Sequence, residues 1–472
     1  MSQPREIRDP IHGFVRLLGR ECDIVDTPLF QRLRRIHQLA MAYMVYPGAL
    51  HTRFDHTLGV TDVAGRMCDH LRIDEGHRTL VRMAGLLHDV GHGPFSHVSE
   101  SVLNALSEPE LEKTAGKKEK IHELITEKII RQHPDLSGPL SGNDREEVAK
   151  LLKSGLDEAV HRDIISGPLD ADKQDYLLRD SKYCGVTYGI FDISQLHLTL
   201  CQGRQDGNRH LMVKENGIHA LEQFVLAKYY LTTQVYRHKV RLITDQMLVR
   251  AISLGVESDK IPDLEKLYRY KDTQEYIDNY LKWDDYRLTT ELLRTDYEGT
   301  KCGRMFRRLV ERNLFKVIFQ IPLTDGRFKG SAVPVALPEQ FPAIKKDMES
   351  QIAGELSKIL SEDVESDFVI LHFYSIQSVR KQSRNDEKAI MIDMSDVPEP
   401  FEHRSRLFQS INVGMNEEFI ECYAPCNLTD EMKKNDLRNE MRKFAVSWLL
   451  KRFSASEDSK LDSKPQDNVV VS

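Results

Sequence analysis

The chain has 472 residues, 40% hydrophobic and 29% charged, with a formal net charge of −7. That length allows one large core plus a smaller lobe, since single cores stop growing at roughly 250–300 residues, and the composition excludes disordered and fibrous classes. The negative balance argues against a protein that wraps nucleic acid over its whole surface, although a local basic patch stays compatible with phosphate or nucleic-acid binding.

Seven cysteines without a CxxC pair give no disulfide framework. MSQPREIRDP carries charges where a signal peptide has its apolar stretch. No run approaches the ~18 apolar residues of a membrane helix, so a cytoplasmic protein away from membranes is expected. From Thr27 to about Leu314 the apolar residues recur at helical spacing, as in LFQRLRRIHQLA, VTDVAGRMCDHL, RTLVRMAGLLHDV, HELITEKIIRQ and DKQDYLLRDSKY. Polar stretches at 107–120, which include Lys117 and Lys118, and at 137–144 read as surface loops. LHLTLCQGRQDGNRHLMVKE reads as a β-hairpin with Asp206 and Gly207 near its turn.

Beyond Leu314 the segments KVIFQIPL, DFVILHFYSI, AIMIDM and EEFIECYA are β-rich, with helical stretches around 343–359 and 430–452 between and after them. The predicted fold is therefore mainly α. A helical core with a short β-hairpin insertion spans 1–320, a smaller C-terminal α+β lobe spans 321–453, and 454–472 is too poor in apolar residues to pack.

Seven of the 18 histidines fall between His51 and His97, most densely in GLLHDVGHGPFSH. Imidazole and carboxylate together suit Fe, Mn, Zn or Co. The apolar run MAGLL sets His88 and Asp89 at the end of a buried helix, where an unpaired carboxylate would be costly without a metal or cation. His56 begins one further apolar-periodic helix and Asp172 lies on another, so the four groups are expected to converge as metal ligands. Gly91 and the pair Gly93-Pro94 break the chain after the dyad and let His92 and His97 turn back toward it. Asp172, Tyr176 and Asp180 stand at i, i+4 and i+8 and share one helical face.

This ordered set of His, His-Asp and Asp, with HDVGHGPFSH, resembles the HD superfamily, and within it the deoxynucleoside triphosphate (dNTP) triphosphohydrolases. RDPIHG at 8–13, DTPLFQRLRRIHQL at 26–39, PGALHTRFDHTLGV at 47–60, DADKQDYLLRD at 170–180, YRHKV at 236–240 and RNLFKVI at 312–318 extend the likeness over roughly the first 320 residues. The resemblance implies an HD-domain helical core that hydrolyses a dNTP to a deoxynucleoside and inorganic triphosphate. It implies that His56, His88, Asp89 and Asp172 hold the metal, that Arg53 and Lys173 touch the triphosphate, and that Mg²⁺ accompanies the substrate. Gln38, Tyr176 and Asp180 would hold the sugar, and Leu39 would pack on it.

His92, His97 and His122 are the acid/base and phosphate-binding candidates, with His97 the expected proton donor to the departing 5′-oxygen. Glu100 stands where the family orients this histidine with an aspartate. Tyr236 matches the family pattern, whereas Lys228 replaces a phosphate-binding arginine and so loses its bidentate fork. The relatives also form oligomers under a guanine-nucleotide activator. Asp26, Gln31 and Arg34 match the residues that read its base, while Arg8 and Phe14 depart from that site; the resemblance implies a homodimer or homotetramer independently of that match. Two other readings use the same motif: an HD nuclease or phosphodiesterase acting on nucleic acid or a cyclic nucleotide, and a nucleotide-sensing or nucleic-acid-binding scaffold with a silent site.

Overall fold

The computed structural model describes residues 3–114, 120–153, 159–205, 207–377, 389–394, 397–410 and 416–461. Lys117, Lys118, Asp206 and the segment 462–472 lie outside them. The chain divides into two compact units, one made of 1–307 with 379–414 and the other of 308–378 with 415–472.

The first unit is mainly helical and opens with an antiparallel hairpin, β1 (Arg5–Asp9) and β2 (Gly13–Leu17). Helix α1 (Arg53–Leu71) starts where the Thr52 backbone N–H and hydroxyl both donate to Asp55 at 2.8 Å, and it stops at Arg72, which adopts the left-handed conformation. Helix α2 (Glu75–Leu87) is capped by Asp74, packs on α1 among other helices, and buries every residue from Val81 to Leu87. Its last turn therefore delivers His88 and Asp89 into the interior.

Helices α3 (Ser96–Thr114), α4 (Ile121–Gln132), α5 (Gly142–Lys153), α6 (Ala159–Ser166) and α7 (Ala171–Cys184) follow. The segment expected to be a loop from Ser107 continues as helix to Thr114, because Ser107 is buried and its hydroxyl accepts from the Tyr270 N–H at 2.8 Å. Asp170 caps α7 by accepting from the Lys173 N–H at 2.7 Å, and Gly185, at φ 69°, ends it.

The expected hairpin is present as β3 (Leu200–Gln205) and β4 (Asn208–Lys214), joined across Gly207 at φ 84°. It begins later than the sequence suggested: Ile193–Thr199 is helical, capped by Asp192. Helix α8 (Ile218–Leu231) runs into a π-helical turn at Thr232–Tyr236, after which α9 (Lys239–Glu257) begins.

The second unit is a three-stranded antiparallel sheet, in the order β5 (Lys316–Pro322), β9 (Asn416–Ala424), β6 (Ile370–Gln377), packed with α10 (Val333–Leu360) and α11 (Glu431–Leu461). Ile318, Ile321, Leu371, Ile420 and Cys422 from the sheet meet Met348, Ile352, Leu356, Met441 and Leu449 from the helices in one core. Helix α11 continues to Leu461, into the segment read as a tail.

The segment AIMIDM does not join that sheet. It supplies β7 (Met391–Asp393), which pairs in parallel with β4 and carries β8 (Glu399–Pro400) on its other edge. Met391 and Ala389 cover Met212 there, so an apolar run read as part of the C-terminal lobe completes the first unit.

Candidate metal centre

Three helices bring the metal-ligating candidates together. His56 sits in the first turn of α1, His88 caps the C-terminus of α2, and Asp172 lies in the first turn of α7. Their ligand atoms all lie within 4.8 Å of one another. His56 Nε2 is 3.0 Å from Asp172 Oδ1 and 3.8 Å from Asp89 Oδ2, and His88 Nε2 is 3.9 Å from Asp172 Oδ1 and 3.4 Å from Asp89 Oδ1. A single ion with bonds of about 2.1 Å spans such separations.

The tautomers fit the same reading. Asp175 Oδ2 lies 2.8 Å from His56 Nδ1, and the Gly85 carbonyl lies 2.8 Å from His88 Nδ1. Both acceptors place the proton on Nδ1 and leave each Nε2 with a free lone pair. Those two Nε2 atoms are buried and hydrogen-bonded to nothing. Burial favours a neutral His56, yet Asp172 and Asp175 on its two sides outweigh that and raise its pKa to about 10. The site therefore calls for positive charge between His56 and Asp172, which a divalent ion supplies.

Asp175 was not singled out from the sequence, although it orients the centre. Fully buried, it accepts from Arg179 Nε at 2.8 Å and Nη2 at 2.9 Å, from His12 Nε2 at 2.7 Å and from His56. Arg66 donates to His12 Nδ1 at 2.7 Å, and Arg179 also reaches Asp9 at 2.9 Å. Asp175 and Arg179 form an i,i+4 pair on α7, a signal visible in DADKQDYLLRD. Gly59 makes room for them. A Cβ there would stand 1.9 Å from Asp175 Oδ1, so only glycine lets α7 bring this carboxylate against α1.

Beside the centre, His92 stacks on His122 with ring centroids 4.0 Å apart, and His97 meets both edge-on at 4.8 and 5.6 Å. Glu100 bonds the Nδ1 of His122 and, at 3.3 Å, that of His97. Burial pushes the Glu100 carboxyl up, but these two partners hold it well below the usual carboxylate range. Burial, reinforced by Arg53 and His122, keeps His92 neutral. Arg53 bonds Asp89 through Nη1 and the Ser96 hydroxyl through Nε at 3.0 Å.

A cleft of about 450 Å³ opens here. Gln38, Arg53, Lys173 and Tyr176 line it together with His88, Asp89, Asp172, His92, His97 and His122. Leu39 is buried rather than lining. Asp180 accepts from Tyr236 at 2.5 Å and bonds His51 at 2.7 Å, and the Tyr236 ring meets Tyr176 edge-on at 6.3 Å. These two residues thus buttress Tyr176. Lys228, exposed on α8, does not line the cleft, nor do Asp26, Gln31 and Arg34. Asp26 pairs with Arg5, Arg34 donates to Gln31 at 2.8 Å, and Gln31 donates to the Val25 carbonyl at 2.7 Å. Lys120, Lys153 and Arg162, which no sequence pattern singled out, do line it.

The HD-domain family model matches residues 53–180, the stretch that holds all four metal-ligand candidates, and the HD-associated-region model matches 199–437. The uncharacterized protein YwfO of Bacillus subtilis is 31% identical over 67% of this chain and 72% of its own length. The chain belongs to the HD-domain phosphohydrolase family. As a family member it is a metal-dependent hydrolase that binds a divalent ion. It is also 27% identical to the deoxynucleoside triphosphate triphosphohydrolase SAMHD1 of Bos taurus, over 90% of this chain and 75% of that one. Among solved structures, a phosphohydrolase of Bacteroides thetaiotaomicron superposes with a TM-score of 0.67 at 25% identity, covering 89% of this chain and 99% of that one. No helix among the described residues is long and apolar enough to cross a membrane.

Proposed function

We propose that this HD-domain protein hydrolyses deoxynucleoside triphosphates to deoxynucleosides and inorganic triphosphate. The observation that carries the reading is one cleft in which the His56, His88, Asp89 and Asp172 cluster adjoins Gln38 and Tyr176, polar and aromatic groups suited to a sugar, and the cations Arg53 and Lys173, suited to phosphates. The name of the bovine relative agrees with it.

An Fe, Mn, Zn or Co ion held there supplies Lewis-acid polarisation of a phosphoryl oxygen and acidifies water, and Mg²⁺ accompanies the triphosphate. The protein's own groups do the rest. Arg53 keeps Nη2 buried and without a hydrogen bond, ready for a phosphate oxygen. Gln38 likewise holds its Oε1 unpartnered, ready to accept from a sugar hydroxyl, while Tyr176, backed by Tyr236 and Asp180, limits the room beside the sugar. His97, its side chain 60% exposed toward the cleft, donates the proton to the departing 5′-oxygen, and Glu100 fixes its ring.

The guanine-nucleotide activator belongs to the same proposal. It would displace Arg5 from Asp26 and Arg34 from Gln31, in a homo-oligomer that light scattering with and without GTP would reveal. The deciding experiment is chromatography of each dNTP incubated with protein and Mg²⁺ or Mn²⁺, with and without GTP. Equal amounts of deoxynucleoside and triphosphate are expected. Absence of triphosphate from all four dNTPs sinks the reading, and cleavage of single-stranded oligonucleotide that disappears in the His88→Ala, Asp89→Ala double variant would replace it with a nuclease.

A further inference from the structure

The cleft contains more cationic groups than the metal centre and sugar contacts account for. Helices α4, α5 and α6 contribute one wall, which carries Lys120, Lys153 and Arg162. Two of these are neutralised in place: Lys153 is 3.0 Å from Glu127 Oε2, and Lys120 is 3.9 Å from Glu123 Oε1. Arg162 differs. It has no ion pair or hydrogen bond among the described residues, and its Nε is buried. Ile165 and Ser166 share its face of α6 and also line the cleft, so the guanidinium is carried on a packed helix and not on a loop.

The cations expected to hold the phosphates are largely committed to protein partners. Lys173 already spends its amine on Asp170 Oδ2 at 2.6 Å and the Gly167 carbonyl at 3.0 Å. Arg53 uses two of its three nitrogens on Asp89 and Ser96. Lys228 does not line the cleft. A polyphosphate whose first phosphate lies at the metal still needs a donor for its terminal one, and an uncommitted guanidinium matches phosphate geometry bidentately where an ammonium does not.

We propose that Arg162 anchors the terminal phosphate of a polyphosphate substrate, forming a second anion subsite on the α6 wall of the cleft. This rests on the triphosphohydrolase reading above for the identity of the substrate, but it is tested by binding alone. Titration calorimetry of the full chain with inorganic tripolyphosphate and Mg²⁺ is compared for wild type, Arg162→Ala and Arg162→Lys, with a deoxynucleoside monophosphate as the control ligand. Arg162→Ala is expected to weaken tripolyphosphate at least about tenfold, the scale of a hydrogen bond to a charged group, and to leave the monophosphate unchanged. Arg162→Lys should recover part of the loss.

Unchanged tripolyphosphate affinity in Arg162→Ala overturns the assignment, as does an equal weakening of both ligands, which would mark Arg162 as structural. Arg162-dependent tripolyphosphate binding by a protein that hydrolyses no dNTP would support the subsite while refuting the proposed reaction.

Discussion

Asp175 is the residue on which the metal centre turns. Its two oxygens are saturated by His12, His56 and Arg179, so an Asn in its place must aim an N–H₂ at a donor. Outer carboxylates that hold a ligating histidine are worth 10–100-fold in metal affinity or activity. Asp175→Asn should therefore lose metal, read by elemental analysis, and activity by about that factor, with Gly59→Ala acting in the same direction by pushing Asp175 aside. An unchanged metal content in Asp175→Asn would show that His56 is held otherwise. The candidate ligands were singled out in the sequence because histidine and aspartate announce their chemistry, and the structure brings His56, His88 and Asp172 together. Asp175 and Arg179 were half legible, as an i,i+4 pair inside a segment already marked for other reasons. His12 was not, since nothing local says that a hairpin residue will meet a carboxylate 163 positions later.

At the level of elements, helical periodicity located α1, α2, α4 and α7 well, because their apolar residues recur at helical spacing, even though α7 buries Gln174, Asp175, Arg179 and Asp180 as well. It failed where burial is supplied by something distant. Ser107 continues α3 because Tyr270 gives its hydroxyl a partner, and AIMIDM becomes β7 because β4 offers an edge, neither of which a local window contains. Helix α9 shows how an element can carry a cost. Among the described residues Asp245 has one buried oxygen without a hydrogen bond and only Arg241, at 3.5 Å, to oppose its burial, which lifts its pKa from 3.8 to about 6. A raised carboxyl pKa means that the folded state keeps a proton the unfolded chain releases. The cost is absent below about pH 4, grows as pH rises through that interval and is complete above about pH 6, where it reaches about 3 kcal/mol. Asp245→Asn should thus match wild type in melting temperature near pH 4 and exceed it by a few degrees at pH 7. A constant difference across that range would count against the assignment.

For the molecule as a whole, the metal-ligand cluster lies within one unit of a two-unit chain. An ion that binds the folded first unit stabilises it by mass action, about 2.7 kcal/mol at a hundredfold excess over its dissociation constant. Calorimetry before and after chelation should show the transition that contains this unit moving to lower temperature, and restoration on adding Mn²⁺. Identical scans would argue that the cluster holds no ion. The pattern changes from helical to β-rich near residue 320, whereas the chain divides between 307 and 308, and the return of 379–414 to the first unit leaves no trace in the sequence, since composition does not record which sheet a strand joins.

That return has a consequence for biosynthesis. When residue 307 leaves the ribosome, all four metal-ligand candidates have emerged, yet the sheet of β3 and β4 still lacks β7, and Met212 has no Met391 or Ala389 to cover it. The nascent chain must carry an open strand edge while roughly another eighty residues are translated at about 5–20 per second, an interval of several seconds in which β4 can pair with the wrong neighbour. Growth temperature and translation speed would then bear on how much of this protein reaches its native form.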